Sequence, residues 1–460
     1  MLKTAEKPMN AIEKIANYAA ELRFEDLTEV TILCARQTVL DTLGTTLGGY
    51  QTPLGKRTVN FAATMYQGEK ATLIGDGRRS TLEGAAWANG VMSKHLGMDD
   101  CHRTAGHVAA ELIPVVLAVG EHRHLNGRQI ITALAVGYDV LNAIQPNVKK
   151  YQLTKGLDQK GQAGTLASAI TAGMVLGLDQ NGLANALALS MDMACGTEQY
   201  VYDSGYCDTK DLLAGYAARN GIYAAKLAAF GFRGPPGALD GSYGYFRAFG
   251  DGYHESYFNE IGTCFALESN SFKPHAGCRH VHSCVDVAQE ILCKGSPALD
   301  EITSIEIGSY RDAITPEFRV DIKPETVGLA GFSLPTAVAV TLVQGSWYRE
   351  DIERYTDPAV QHLLSLTTVY LDEKIEAVYP GKNGCIVRIT TKEGTIYEGR
   401  VDYAKGEPEN MLTDAEFGEK FHRLVGGLLS DDRIEKILDS TSRLEDLEDI
   451  SSLVRLTVRS

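Results

Sequence analysis

Apolar positions in the first half of the chain recur at helical spacing. Ile12, Ile15, Ala16, Ala19 and Leu22 share one face of the stretch 10–24, the i, i+3, i+4, i+7 pattern of an amphipathic helix. Residues 27–48 predict a second helix, ending at the Gly48–Gly49 pair, and 81–95 a third whose small residues suit close packing. Two more are predicted over 108–121 and 127–146, separated by His124–Leu125–Asn126–Gly127. The stretches 164–176 and 181–195 are dominated by the strong helix formers Ala, Leu and Met, and 211–231 follows in the same style. Gly231, Gly234, Pro235, Pro236 and Gly237 then break the pattern.

The period changes further on. ITSIEIGSY, residues 302–310, alternates as a half-buried strand does, and 384–406 reads as a hairpin turning at Lys392–Glu393–Gly394. Helices are predicted over 282–294 and 333–346, then again over 416–429 and 432–440. The expected fold is mainly α. A large helical domain is built from both chain ends (1–268 and 405–460) and interrupted by a smaller α+β lid domain over 269–404. A chain of 460 residues is long enough for two such cores.

Composition narrows the function. The formal net charge of −15 argues against non-specific nucleic-acid binding but permits a local basic pocket. No apolar run reaches the roughly 18 residues of a membrane span, and the first residues lack a signal peptide's apolar centre. The expectation is a cytoplasmic protein without a membrane partner. The nine cysteines include no CxxC pair, so neither a disulfide scaffold nor an iron–sulfur cluster is expected.

Four segments concentrate chemistry. In GMDDCHRTAGHVAAELIPVV (97–116), Asp99, Asp100, Cys101, His102, Arg103 and His107 precede an apolar helical run. Burying such a group without partners is costly, although a solvated loop with a capping residue is the plainer alternative. In SFKPHAGCRHVHSCVD (271–286), Lys273, Cys278, Arg279 and His282 suit a carboxylate or phosphate pocket. The Cys and His positions there do not fall at a zinc spacing, so no metal is expected. Lys210 opens an Ala-rich helix, where anions are favoured. Asp158 and Lys160 precede a helix of small residues, where a capping aspartate is the plain reading. GDGRRS (75–80) lacks the spacing of a phosphate loop, and His122 and His124 flank a turn.

Taken together, these segments resemble the MmgE/PrpD family. The marks are AAWANGVMSKHLGMDDCHRTAGHVAAELIPVVLAVGE, LAVGYDV, DTKDLLAGYAARNGIYAAKLAAFGFRGP and FKPHAGCRHVH, in that order, followed by GFSLPTAVAVTLVQG and YAKGEPENMLTDAEFGEKF. The resemblance implies a helical domain with an α+β lid, an active site between them, a homodimer, and no metal or organic cofactor. It places the catalytic histidine at His107, the pocket lysines at Lys210 and Lys273, and pocket acid and threonine positions near Asp99, Asp100 and Cys101. Where the decarboxylase members carry aspartate and threonine, this chain has Gly97 and Cys101. Val108 stands where many members have proline, and Asp158 where a second-loop histidine is common.

The implied activity is a cofactor-independent lyase acting on a small di- or tricarboxylate. Dehydration of a 2-methylcitrate-like hydroxy acid is expected first. Epimerisation, racemisation or decarboxylation of an acidic compound, and a non-catalytic carboxylate-binding homologue, are the alternatives. In the expected chemistry His107 moves a proton, Asp99 or Asp100 orients it, and Lys210, Lys273, Arg103 and Arg279 face the substrate's charge.

Overall fold

A computed structural model describes residues 9–202, 207–259, 261–295, 297–315, 320 and 322–459. The N-terminal half is helical: α1 (Ala11–Glu21), α2 (Glu29–Tyr50), α3 (Pro53–Met65), α4 (Leu82–His95), α5 (Ala109–Arg123), α6 (Gly127–Lys155), α7 (Thr165–Leu176), α8 (Gln180–Ser190), α9 (Gln199–Tyr202), α10 (Thr209–Ala229) and α11 (Tyr245–Phe249). Short polar side chains start them. Asn10 and Glu13 form a reciprocal capping box on α1, Asn126 and Gln129 do the same on α6, and Thr81 accepts from Gly84 N on α4. Helix α6 runs through Pro146 to Lys155, beyond the predicted end at 146, and stops at Gly156 with φ of 64°. Helix α3 was not predicted, although Thr52 caps it and Pro53 opens it.

Helix α4 is central, packing on α2, α3, α5 and α10. Its approach to α10 is close because Gly215 has no side chain: a Cβ there would lie 2.5 Å from the Trp87 carbonyl oxygen. That contact sets the C-terminal end of α4 beside the N-terminal end of α10, where His95 Nδ1 meets Asp211 Oδ2 at 2.7 Å.

The α+β part holds α12 (His282–Gly295), β3 (Ile302–Ser309), α13 (Val327–Ala330), α14 (Leu334–Gln344), α15 (Arg349–Ile352), α16 (Pro358–Ser365), β4 (Thr367–Leu371), α17 (Glu373–Glu376), β5 (Cys385–Thr391) and β6 (Ile396–Val401). The sheet order is β4-β3-β5-β6. Strands β3 and β4 run parallel, and the other pairs antiparallel. The predicted strand and hairpin are β3, β5 and β6; β4 and α16 were not predicted. Helix α12 lies on β5 and β6, seated where Gly399 leaves room for Val287. A further short pair, β1 (Ala71–Thr72) with β2 (Arg79–Ser80), flanks the GDG turn.

The chain then returns to α18 (Asp414–Val425), α19 (Asp431–Ser442) and α20 (Ser451–Leu456). Helices α18 and α19 pack on α2, and α20 packs on α5, so both chain ends contribute to one helical body. The fold is mainly α with a small α+β part. Among the described residues no helix is long and apolar enough to cross a membrane.

Candidate active site

The loop between α4 and α5 carries the first cluster. Asp99 and Lys94 are each 1% exposed, and Lys94 Nζ lies 2.9 and 3.1 Å from the two Asp99 oxygens. Lys94 occupies the last turn of α4, where a cation is favoured by the helix dipole. Lys273 reaches the same carboxylate from the loop before α12, at 3.8 Å from Asp99 Oδ1, and donates to the Gly97 carbonyl at 3.3 Å. Among the described residues, Asp99 is the single carboxylate within ion-pair reach of either lysine.

His107 joins them. Its Nδ1 lies 2.8 Å from the Asp100 carbonyl oxygen and 2.9 Å from Asp99 Oδ2. A carbonyl and a carboxylate only accept, so Nδ1 carries the proton and Nε2 keeps its lone pair. Among the described residues Nε2 has no hydrogen-bond partner, and the side chain is 26% exposed. Burial, then the Lys94 charge, push the imidazole down to about 3, so the ring is neutral near pH 7. Burial would raise the Asp99 carboxyl. Lys94, His107 and Lys273 outweigh it and hold the group well below the usual range. Burial brings the Lys94 ammonium down to about 8 against the attraction of Asp99.

Asp100 turns the other way. Its side chain accepts from Ala109 N at 3.0 Å, capping α5, and from the Tyr138 hydroxyl at 2.7 Å. Burial and the neighbouring Asp99 charge raise it to about 7. Lys210 sits over the Phe332 ring at 5.8 Å and lines a cleft with His95, Gly97, Tyr200, Gly277 and Arg349. Gly97 therefore belongs to the cleft wall and also accepts from Lys273. Burial lowers the Lys210 ammonium.

The remaining residues singled out in the sequence form separate groups. Asp158 accepts from Lys160 Nζ at 2.6 Å, from the Tyr200 hydroxyl at 2.7 Å, and from Lys160 N and Gly161 N at the turn that leads into α7. Arg103 and Arg279 both grip Glu407, at 3.2 and 2.8 Å, and Arg103 also pairs with Glu409. Arg279 also reaches Nδ1 of the buried His282 at 3.2 Å. His102 is buried, meets the Ala266 carbonyl and is pushed by burial to about 4. With Arg103 it lines a different depression beside Asp139 and Asn142. Cys101 lies on the loop pairing with Ser271, its thiol raised by burial to about 11, and Cys278 N donates to the Gly331 carbonyl.

Lys94, which pairs with Asp99, was not singled out in the sequence. It was hidden in a helix of small residues that reads as packing, although one cation in such a run, five residues before Asp99, was a signal. Glu111, Tyr200, Arg349 and the buried Lys420–Asp41 pair had no signal in local spacing.

A model of the MmgE/PrpD N-terminal domain matches residues 13–257, and one of the C-terminal domain matches residues 275–445. The chain belongs to the MmgE/PrpD family. Its relatives in that family include the cis-aconitate decarboxylase of Mus musculus, 25% identical over 96% of this chain and 92% of the relative. The Homo sapiens enzyme of the same name is 26% identical over 96% and 94%. That of Aspergillus terreus is 24% identical over 96% and 95%. The loop that carries Asp99 and His107 falls inside the MmgE/PrpD N-terminal match, and Lys273 falls between the two matches.

Proposed function

We propose that the chain is a lyase acting on a small di- or tricarboxylate, with His107 moving a proton beside a substrate carboxylate. One observation carries this reading. Among the described residues, the two buried lysines Lys94 and Lys273 share one carboxylate within ion-pair reach, Asp99, with Lys210 on the adjoining cleft. Buried positive charge in excess of its counter-charge is costly, and a polyanionic substrate supplies the missing charge. With His107, Lys94 and Lys273 all held by the Asp99 carboxylate, the His107 lone pair works beside fixed cations that would stabilise an enolate-like dianion as it develops.

Dehydration of a 2-methylcitrate-like hydroxy acid is the first reading. His107 takes the proton, and a protonated lysine returns one to the departing hydroxyl. Lys94 suits that second task, because an ammonium held near 8 gives up its proton more readily than an ordinary one. Decarboxylation is the second reading, favoured by relatives named cis-aconitate decarboxylases that match over nearly their whole length. There the carbanion left by loss of CO2 meets the same cations and receives a proton at carbon. Homodimerisation is proposed on the family resemblance, and light scattering checks it.

Incubation with citrate, 2-methylcitrate and cis-aconitate separates the readings. Alkene absorbance without CO2 release supports dehydration. CO2 release from cis-aconitate supports decarboxylation. Binding of all three with turnover of none would sink the enzymatic reading.

A further inference from the structure

Lys420 shares the buried face of α18 with Phe417, Phe421 and Leu424. It is carried inward by the packing of α18 on α2. Gly44 and Gly48, one turn apart on α2, allow the approach: an added Cβ would stand 3.0 Å from the Phe421 ring at the first and 3.2 Å from the Leu424 carbonyl oxygen at the second. One turn before Gly44 is Asp41, and Lys420 Nζ meets its Oδ1 at 2.5 Å, with the two side chains 5% and 1% exposed. Burial lowers the Lys420 ammonium against the attraction of Asp41. The same Nζ donates to the Met98 carbonyl at 2.8 Å. A cation from the C-terminal segment thus reaches the residue before Asp99.

Among the described residues this is the one hydrogen bond of the Met98–Asp99 peptide unit. The carbonyls on either side are held as well: Gly97 accepts from Lys273 and Asp100 from His107 Nδ1. A buried peptide group that loses its only partner turns to find another. Turning this one moves the Asp99 carboxylate, on which Lys94, Lys273 and His107 converge. We infer that Lys420, itself held by Asp41, is a positioning residue: it fixes the Met98–Asp99 peptide and thereby sets Asp99 against His107 and the two lysines. Two of its three N–H donors are engaged within the protein, so it acts through the loop and not on substrate. The inference rests on the reading above for the catalytic task of His107. It goes beyond that reading in assigning the pair, drawn from α2 and α18, that holds the carboxylate partner of His107 in place.

Lys420→Met alone leaves Asp41 buried without its cation and risks unfolding the chain. The test therefore uses the full chain carrying Asp41→Leu and Lys420→Met together. Both charges go, and apolar groups of similar size replace them, so Tm is expected to stay within about 5 °C of wild type. On whichever of citrate, 2-methylcitrate and cis-aconitate wild type turns over, kcat is expected to fall about 10–100-fold, with KM moved less than about threefold because the substrate-facing cations remain. Amide exchange read by mass spectrometry should be at least about tenfold faster over residues 97–108, while α2 and α18 exchange as in wild type. Asp41→Asn with Lys420→Gln, equally uncharged but with an amide donor left for the Met98 carbonyl, should recover part of kcat and slow the loop again. Wild-type kcat or unchanged loop exchange in the Leu/Met variant overturns the inference, since the pair then only joins α18 to α2. Equal loss in the two double variants overturns it too. If wild type turns over none of the three acids, the lyase reading fails, and loop exchange alone decides the positioning role.

Discussion

His107 and Asp99 are joined at 2.9 Å, Nδ1 to Oδ2, and the same ring nitrogen faces the Asp100 carbonyl at 2.8 Å. Two acceptors on one nitrogen fix the tautomer and leave the lone pair on Nε2. His107→Gln keeps a polar side chain of similar reach but removes that lone pair. It is expected to lower kcat about 10²–10⁴-fold while leaving the circular dichroism spectrum and Tm close to wild type. Wild-type turnover in a folded variant would remove His107 from the mechanism.

Asp99 is held differently, because it is the counter-charge for Lys94 and Lys273 as well as the partner of His107. Asp99→Asn leaves two buried ammonium groups without a carboxylate. Breaking a buried pair by removing one partner costs about 3–5 kcal/mol, so a marked fall in Tm should accompany the loss of activity. The variant should also gain more stability from added citrate than wild type does, since the ligand then supplies the counter-charge that Asp99 gave. Thermal scans with and without citrate read both effects.

The pH profile follows from two groups. The imidazole of His107 is pushed down to about 3, so its lone pair remains available well below the usual histidine range. The acid limb of kcat/KM should therefore lie below pH 6, not near 6.5. The Lys94 ammonium is brought down to about 8, and above that pH it loses its proton and its hold on an anion. Activity should fall as pH rises through about 8, in kcat as the proton for the departing hydroxyl is lost and in KM as the anion loses a cation. A bell centred on 6.5 with both limbs set by histidine would contradict this assignment. In Lys94→Met the basic limb should move upward or vanish, and KM should be high at every pH.

Much of this was legible in the sequence because the residue types crowd together. Asp99, Asp100, His102, Arg103 and His107 fall within nine positions, and such density singled the loop out as a candidate. Density does not say which way each side chain turns. Asp99 faces the lysines while Asp100 caps α5, a distinction set by the path of one loop. Nor does it reveal distant partners. Arg103 and Arg279, expected to face substrate charge, are both tied to Glu407, which lies far along the chain from each. Helical periodicity gave most helices, since an amphipathic face repeats within one segment. It missed β4, whose parallel pairing with β3 depends on a crossover and not on its own five residues.

Glu111 offers a test of packing beneath the site. It is wholly buried on α5, both carboxyl oxygens lack a hydrogen-bond partner among the described residues, and burial raises it well above the usual carboxylate range. Space for it exists because Gly164 carries no side chain: a Cβ there would lie 2.0 Å from Glu111 Oε2. Glu111→Gln, nearly isosteric, relieves the cost of burying a carboxyl and should change stability by less than about 1 kcal/mol. Gly164→Ala drives a methyl into the carboxyl and should cost about 1–3 kcal/mol, as overpacking does. If the clash is the cause, Glu111→Ala should recover part of that loss, so the double variant is more stable than the two single effects added together. Urea unfolding of the four proteins measures the coupling. Strict additivity would show that Gly164 is needed for the backbone of its turn and not for room beside Glu111.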